Sequence, residues 1–280
     1  MKILYTIQEI KKYISEQKSR DISIGFVPTM GALHFGHISL INRAKQENDI
    51  CICSIFVNPT QFNNKEDLLN YPRHIESDIK YLASVNCDIL FAPSEKEMYP
   101  EPDNTIYKLG GLDVVMEGKY RPNHFNGVAI IVKKLFDIIE PQKTYFGEKD
   151  FQQLAVIKYL VKEYSVPVEI ISCPTYRETD GLAMSSRNIR LTKEERKVAP
   201  YIYKTLLKAK DLSRKKNVND IKQFVLKEFQ KKPNLNLEYF EIVDKETLKN
   251  IEQFDDFNNC IGCIAVFLGK VRLIDNINFL

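Results

Sequence analysis

The sequence lacks any apolar run that approaches the roughly 20 residues needed to cross a bilayer. Its first residues, MKILYTIQEIKKYISEQ, lack the continuous apolar core of a signal peptide and have the spacing of an amphipathic helix. Neither sign of charge dominates, because the sequence contains 40 basic and 37 acidic residues and its net charge is only +3. We therefore expect a cytoplasmic protein whose main partner is neither a nucleic acid nor a membrane.

A complete set of cysteine ligands for zinc is also missing. Cys260 and Cys263 have CxxC spacing, but no second pair and no nearby histidine completes a metal site. Cys51, Cys53 and Cys263 lie in apolar, strand-like runs, where a thiol acts as a small hydrophobic side chain. The sequence therefore predicts no metal site built from cysteine.

The chain up to about residue 175 alternates between strand and helix patterns. Strands are predicted over 22–27, 50–57, 88–92, 144–146 and 168–172, and helices begin near 34, span 72–85 and 127–139, and extend to 164. Such alternation predicts an α/β fold, a Rossmann-like doubly wound parallel sheet with helices on both faces. Ligands in this architecture bind at the carboxyl ends of the strands.

Beyond residue 175 the sequence predicts a smaller α+β domain. Thr192 and Glu195 form a capping box that opens a helix through about residue 212, and a second helix covers about 218–231. Short strands are predicted over 236–243, 261–268 and 271–275. We therefore expect a Rossmann-like domain over 1–175 and a smaller C-terminal domain over 176–280.

The motif PTMGALHFGHISL, residues 28–40, carries the first strand through a glycine-bearing loop into a helix. His34 and His37 stand where that helix begins, and residues three apart face the same side of a helical turn. Backbone N–H groups and the positive end of the helix dipole meet there, which suits a polyphosphate. Gly36 leaves room for a nucleotide against the backbone. On this motif alone, a plain strand–turn–helix with two surface histidines remains an alternative.

Two other polar motifs, NPTQF at 58–62 and GEKDFQQ at 147–153, also directly follow predicted strands. Taken singly, Lys149 has the pattern of a solvated surface charge, and Gln61 or Gln153 that of a structural glutamine. The tripeptide SSR at 185–187 is common on protein surfaces. Because the first two motifs follow strands of one predicted sheet, we expect them at the ligand-binding edge of that sheet.

Six motifs together resemble one family. They are PTMGALHFGHISL, SIFVNPTQF, YPR, EGKYRPNHFNGV, YFGEKDFQQ and DGLAMSSRNIRL, and in this order they resemble the pantoate–β-alanine ligases. The resemblance covers about residues 22–192 and implies a nucleotidyltransferase with HxGH-type and KMSKS-type loops. It implies ATP-dependent condensation of (R)-pantoate with β-alanine to pantothenate through a pantoyl adenylate, with release of AMP and pyrophosphate, in coenzyme A biosynthesis. The smaller domain is then expected to cover the active site.

The resemblance implies a role for each site residue. His37 is the implied catalytic proton donor, with His34 and Lys149 as the other catalytic side chains. Gln61 and Gln153 are the implied pantoate ligands, and Gln61 also helps to place β-alanine. The implied ATP-binding residues are Met30, Gly31, Ala32, Leu33, His34, Phe35, Gly36, His37, Gly147, Glu148, Lys149, Asp150, Tyr176, Met184, Ser185, Ser186 and Arg187.

Within the ATP-binding set, the resemblance also implies which part of the nucleotide each residue meets. Lys149 is implied to touch phosphate, Asp150 the ribose, and Tyr176 the adenine side through its backbone. Residues 185–187 take the place of the KMSKS-type loop, where two hydroxyls and a guanidinium can donate to pyrophosphate. Arg121, His124 and Phe125 are further candidates for shaping the pantoate pocket.

Two positions depart from the family pattern. Phe35 stands between the histidines, where the family usually carries Glu or Asp, and we expect this side chain to point away from ATP. The acidic run that often follows YPR is reduced to Glu76 and Asp78, which are weaker candidates for a metal contact. We therefore assign no protein metal ligand and expect Mg²⁺ to arrive with ATP. We also expect a homodimer.

Three other functions remain open on the sequence. A cofactor adenylyltransferase of the same superfamily would keep AMP in a dinucleotide product, and SSRNIR loosely resembles a loop of that group. A fragment of an aminoacyl-tRNA synthetase is disfavoured by the small net charge and by the lack of an anticodon-binding module. A non-catalytic nucleotide-binding protein could use the same fold, and an ATP-turnover assay distinguishes it.

Overall fold

Short apolar runs in the first two thirds of the chain pair into one parallel sheet. The computed structural model describes residues 1–254 and 259–279. The strands of this sheet are β1 (Lys2–Leu4), β2 (Ile24–Thr29), β3 (Ile50–Ile55), β4 (Ile89–Phe91), β5 (Lys143–Gly147) and β6 (Glu169–Cys173). They lie in the order β1-β4-β3-β2-β5-β6, and each neighbouring pair is parallel. The predicted parallel sheet is therefore confirmed.

Helices connect these strands and bury the sheet. They are α1 (Ile7–Lys18), α2 (Phe35–Glu47), α3 (Lys65–Leu69), α4 (Ile75–Ser84), α5 (Glu95–Met98), α6 (Met116–Tyr120), α7 (His124–Ile139) and α8 (Phe151–Glu163). Phe26 and Val27 of β2 are both fully buried, although successive strand residues point to opposite faces. Val27 packs with α2 residues such as Ile41, and α7 also contacts β2. Both faces of the sheet are therefore covered, as in a doubly wound fold.

The C-terminal part of the chain forms a three-stranded antiparallel sheet with helices. Its strands are β7 (Leu235–Asp244), β8 (Cys260–Leu268) and β9 (Val271–Asn278), and its helices are α9 (Lys193–Val198), α10 (Tyr201–Ser213) and α11 (Val218–Gln230). Leu206 of α10, Val225 of α11 and Ile264 of β8 belong to one buried core. This arrangement confirms the predicted smaller α+β part.

Contacts group the chain into two compact units. The first comprises residues 1–148 and 156–174, and the second comprises residues 149–155 and 175–280. The start of α8 therefore belongs to the second unit, although its remainder belongs to the first. Among the described residues, no helix combines the length and the apolar character that a bilayer crossing requires. All six cysteines are buried and carry free thiols.

Two local predictions were wrong. Lys2–Leu4 forms the edge strand β1 beside β4, and a three-residue strand is too short to show alternation in a sequence that continues as a helix. The single helix predicted through residue 212 is divided into α9 and α10. Pro200 stands at the break, because its ring removes an N–H donor and clashes with the preceding helical turn.

Other differences concern the ends of elements. The predicted capping box is confirmed, since Thr192 Oγ1 accepts the Glu195 N–H at 3.2 Å and Glu195 Oε2 accepts the Thr192 N–H at 2.8 Å. Strand β9 continues three residues beyond the predicted end at 275, to Asn278. Helix α7 begins at His124, three residues before the predicted start at 127.

Candidate active site

The two histidines of the HFGH motif lie side by side at the start of α2. His34 is the N-cap residue, and its Nδ1 accepts the Gly36 N–H at 3.1 Å. His37 Nδ1 accepts the His34 N–H at 3.3 Å, so each ring caps the helix through the same nitrogen. The ring centroids are 4.1 Å apart. The structure thus brings together the two side chains that the three-residue spacing places on one side.

These hydrogen bonds fix the tautomer of each neutral ring. A nitrogen that accepts an N–H cannot carry a proton, so Nδ1 is unprotonated in both neutral imidazoles. The proton is then on Nε2, which makes Nε2–H a donor in each ring. The backbone of the HFGH motif therefore prepares two N–H donors at the helix start without requiring either histidine to be charged.

A buried carboxylate holds the loop that precedes these histidines. Asp78 of α4 is 2% exposed, and its two oxygens accept the backbone N–H groups of Ala32 at 2.9 Å and Leu33 at 2.7 Å. Burial raises the pKa of Asp78, and these two hydrogen bonds and the charge of His74 oppose that rise. Gly31 has φ = +79°, and a Cβ there would lie 3.0 Å from Asp78 Oδ2. The loop conformation thus depends on Asp78 and on a glycine.

The sequence offered Glu76 and Asp78 as weak candidates for a metal contact. Both oxygens of Asp78 are instead engaged by the loop backbone, and Glu76 is exposed on the first turn of α4. Across residues 1–254 and 259–279, no three His, Cys, Asp or Glu side chains converge on a position that could hold a metal ion.

Gln61 lies in a buried polar cluster after β3. It ends a 3₁₀ turn, Pro59–Gln61, and is 7% exposed. Its Oε1 accepts an N–H of Asn58 at 3.1 Å, and its Nε2 lies 3.0 Å from the sulfur of Met30. The structure therefore brings Gln61, a predicted pantoate ligand, to Met30, a predicted ATP-loop residue.

Helix α7 supports the same cluster. His124, 5% exposed at the first turn, lies with Nδ1 2.7 Å from the Gln61 carbonyl oxygen, which makes Nδ1 the donor. Asn58 Nδ2 donates to the Gly127 carbonyl at 3.0 Å. A side chain at Gly127 would collide with the Thr60 carbonyl, so only glycine allows this close approach. Of the other candidates in RPNHF, Phe125 is buried. Arg121 forms an ion pair with Glu117, in which Nη1 lies 3.8 Å from Oε2.

Phe35 is half exposed on the first turn of α2. Its ring meets Tyr81 of α4 edge-on, with centroids 6.3 Å apart and an interplanar angle of 80°. The contact directs the Phe35 side chain toward the surface of α4. The Phe35 side chain thus packs on a neighbouring helix.

The GEKDFQQ motif divides between the two units. Gly147 ends β5 in the first unit, and Glu148 follows it. In the second unit, Lys149 has a side chain 16% exposed, and its Nζ lies 3.8 Å from Asp150 Oδ1. The Lys149 carbonyl accepts an N–H of Asn276 at 3.0 Å. Gln153 is half-buried on the first turn of α8.

The DGLAMSSR motif forms a short hairpin followed by a 3₁₀ turn. The Tyr176 carbonyl accepts the Met184 N–H at 2.9 Å, and Arg177 pairs with Ala183 in an antiparallel bridge. Ser185 Oγ then accepts the Arg187 N–H at 3.2 Å and caps the turn Ser186–Arg190. Residues 176–184, which we call the hairpin, thus present the predicted Ser185, Ser186 and Arg187 from an ordered base.

The comparison with protein families identifies the chain. A family model described as pantoate-beta-alanine ligase matches residues 2–278. The chain belongs to the pantoate–β-alanine ligase family. Curated relatives in the same family include pantothenate synthetases of Porphyromonas gingivalis, 50% identical, and of Bacteroides fragilis, 48% identical. Each alignment covers 279 residues, 100% of this chain and 99% of the relative.

Solved structures of pantoate–β-alanine ligases agree. Pantothenate synthetase from Thermus thermophilus is 39% identical with a TM-score of 0.93, over 100% of this chain and 99% of that one. The ligase from Francisella tularensis, in a complex with beta-gamma ATP and beta-alanine, is 41% identical to this chain, with a TM-score of 0.81. The alignment covers 100% of this chain and 98% of that one. These matches confirm the predicted family, fold class and activity, an ATP-dependent condensation in pantothenate biosynthesis.

Sequence reasoning did not single out several polar residues that contact the predicted motifs within each unit. Asn58, 1% exposed, was visible only as part of NPTQF. Asp275 and Asn276 are buried on β9, and Arg177 lies in the hairpin. The signal that could have found the β9 pair is two consecutive polar residues inside the apolar run VRLIDNINFL.

Proposed function

We propose that this chain makes pantothenate in two half-reactions. The pantoate carboxylate attacks the α-phosphorus of ATP, which forms pantoyl adenylate and releases pyrophosphate. The amine of β-alanine then attacks the acyl carbon, and AMP leaves. The observation that carries the proposal is the pair of histidine rings, 4.1 Å apart at a helix start, whose Nδ1 atoms are both engaged by backbone N–H groups.

The HFGH and NPTQF motifs would supply donors and the position for adenylation. A carboxylate nucleophile is already ionised, so the reaction needs in-line positioning and donors on the triphosphate more than a base. We assign residues 30–37 to the ATP loop, with His37 and His34 donating through Nε2 to phosphate oxygens beside the helix dipole. Gln61 would bind pantoate, because its amide lies beside Met30 of that loop.

Residues that follow β5 are assigned as the remaining ATP and pantoate ligands. Lys149 is assigned to phosphate, Asp150 to ribose and Gln153 to pantoate, in keeping with the family pattern. The hairpin and residues 185–187 would contact adenine and pyrophosphate. Gly147 and Glu148, which precede Lys149 along the chain, are assigned to the nucleotide as well. The division into domains at residue 175 is proposed on the same pattern.

Magnesium fits this proposal as a companion of ATP. The described residues offer no cluster of three potential metal ligands, and Asp78 is committed to the loop backbone. Mg²⁺ commonly keeps several waters and is held through substrate phosphates, so no dedicated protein cage is needed. When bound, it would neutralise phosphate charge. The chain's own contribution remains the hydrogen-bond donors described above.

A homodimer in the cytoplasm completes the proposal. The six buried free thiols suit a reducing compartment. The dimer is proposed from the family pattern, and sedimentation of the purified chain would test it. A monomer at micromolar concentration would remove this part of the proposal and leave the chemistry unchanged.

Product analysis tests the proposed reaction. The chain is incubated with MgATP, pantoate and β-alanine, and each substrate is omitted in turn. We expect AMP and pantothenate in equal amounts only in the complete mixture. A dinucleotide product would instead indicate a cofactor adenylyltransferase, and ATP binding without turnover would indicate a non-catalytic protein.

A further inference from the structure

An ion pair joins the hairpin to β9 within the second unit. Arg177 donates to both carboxylate oxygens of Asp275, at 2.7 Å to Oδ2 and 2.9 Å to Oδ1. Such a bidentate ion pair fixes the guanidinium in both position and orientation. The Asp275 side chain is 3% exposed, and burial raises the pKa of its carboxyl while Arg177, the Asn276 N–H and Lys149 oppose that rise.

The same guanidinium also holds the turn of the hairpin. It donates to the Gly181 carbonyl at 3.2 Å and lies over the Tyr203 ring, 3.6 Å from the ring centroid. Gly181 has φ = +93°, and a Cβ there would be 2.7 Å from a carbon of that ring. Arg177 therefore ties the hairpin to both Asp275 and α10, the helix that carries Tyr203.

The next residue on β9 reaches Lys149. The Asn276 N–H donates to Asp275 Oδ1 at 2.8 Å, and the Asn276 carbonyl accepts from Arg177 at 3.3 Å. Its side-chain amide donates to the Lys149 carbonyl at 3.0 Å, and the residue is 7% exposed. One continuous set of hydrogen bonds thus joins the Lys149 backbone to the hairpin.

We propose that Arg177, Asp275 and Asn276 are positioning residues for adenylation, which hold Lys149 and the hairpin in one fixed relationship. This inference rests on the proposed function, which assigns Lys149 and residues 185–187 to the phosphates. Lysine is a point charge on a flexible stem, so its backbone must be fixed for the ammonium to meet a developing charge reproducibly. Asn276 supplies that restraint on the Lys149 carbonyl, and the Arg177–Asp275 pair anchors Asn276.

The two half-reactions separate this role from a merely structural one. Pyrophosphate–ATP exchange with pantoate alone reports adenylation, and a chase of preformed pantoyl adenylate with β-alanine reports amide formation. Asn276→Ala removes the donor to Lys149, and Asn278→Ala is the matched control, because Asn278 is exposed two residues along β9. Asn276→Ser is the second variant if Asn276→Ala does not fold, and the melting temperature of each variant is recorded.

We expect Asn276→Ala to slow the exchange by about tenfold to a hundredfold, the scale of a small misplacement of a catalytic group. The chase reaction and the exchange rate of Asn278→Ala should stay within twofold of the original chain. Equal losses in both half-reactions, or an unchanged exchange rate, would overturn the proposal.

Measuring ATP affinity tests the positioning role even if the proposed reaction is wrong. If the original chain shows no exchange, the proposed reaction fails, but calorimetric titration with ATP still tests the network. Asn276→Ala should then weaken ATP binding severalfold and Asn278→Ala should not. Equal affinities of Asn276→Ala and the original chain would overturn the proposed positioning role.

Discussion

The carboxylate of Asp78 accepts the backbone N–H of Leu33 at 2.7 Å, across 45 residues of sequence. Its second oxygen accepts the Ala32 N–H at 2.9 Å, so one buried side chain fixes two consecutive peptides of the proposed ATP loop. The same loop ends at His34, whose ring caps α2. The position of the histidine pair therefore depends on α4 as well as on its own helix.

Replacing Asp78 tests that dependence. Asp78→Asn keeps one acceptor but presents an amide donor to a backbone N–H, which leaves buried donors unsatisfied. We expect the free energy of unfolding to fall by about 1–3 kcal/mol, together with a loss of turnover. Urea unfolding and steady-state kinetics measure both quantities. Glu76→Gln, an exposed change on the same helix, is the control, and equal behaviour of the two variants would contradict the proposed support of the loop.

The proposed catalytic donor gives a second prediction. His37→Ala removes one preorganised N–H donor, which costs about 2.7–4 kcal/mol of transition-state stabilisation, or roughly 10²–10³-fold in turnover. Stability should change much less than activity. The exposed His74 provides a matched control, His74→Ala, which should retain near-normal turnover. A loss of less than threefold in a folded His37→Ala protein would argue against this role.

For Phe35 we predict that a substitution has little effect on activity. Phe35→Glu introduces an acid on the first turn of α2, where the Phe35 ring packs on Tyr81. The change loses an edge-on contact worth about 0.5–1.5 kcal/mol and gains up to about 1 kcal/mol from the helix dipole. We expect nearly unchanged activity and stability, with Phe35→Ala as the control for the lost ring. A collapse of ATP affinity in Phe35→Glu would show that this side chain faces the triphosphate.

The lowered pKa of Asp103 leads us to predict that the stability of the protein depends on pH. Hydrogen bonds from Thr105 and the ion pair with Lys134, at 2.9 Å, lower the pKa of Asp103 from 3.8 to about 2. A carboxyl with a lowered pKa in the folded state stabilises the fold above pH 3.8, and that contribution disappears as the pH falls through 2.

Asp103→Asn should therefore lower the free energy of unfolding by about 1–2 kcal/mol at neutral pH, after allowance for solvent screening. The difference from the original chain should vanish as the pH approaches 2. Chemical unfolding across this pH range measures the effect. Asp137→Asn, which breaks the exposed pair with Lys133, is the control and should change the free energy of unfolding little at neutral pH. A difference for Asp103→Asn that does not change with pH would contradict the assigned cause.

The parts of the fold that the sequence predicted well have strong local patterns. Strands β2 and β3 contain short apolar runs, and α2 follows a glycine-bearing loop. Strand β2 nevertheless continues through Pro28, which was expected to end it, to Thr29. The edge strand Lys2–Leu4 was missed because its pairing with β4 involves residues 89–91, far away in sequence. The break at Pro200 was missed because helical spacing continues across it.

The supporting contacts of the site could not be read from local patterns. Asp78 meets the loop from another helix, and Asn276 reaches Lys149 across 127 residues. Such contacts depend on which elements the fold brings together. Contacts between distant elements leave no local pattern of residue spacing in a single sequence. The motifs that we assign to ligands are compact in the sequence, whereas the residues that hold them are dispersed.

Pyrophosphate exchange tests the central claim of a pantoyl adenylate most directly. The chain is given MgATP, pantoate and labelled pyrophosphate without β-alanine, and the label in ATP is followed. We predict rapid exchange that needs pantoate, that disappears in Lys149→Ala, and that weakens in Gln61→Ala. Exchange that strictly requires β-alanine would contradict a free-standing adenylate step.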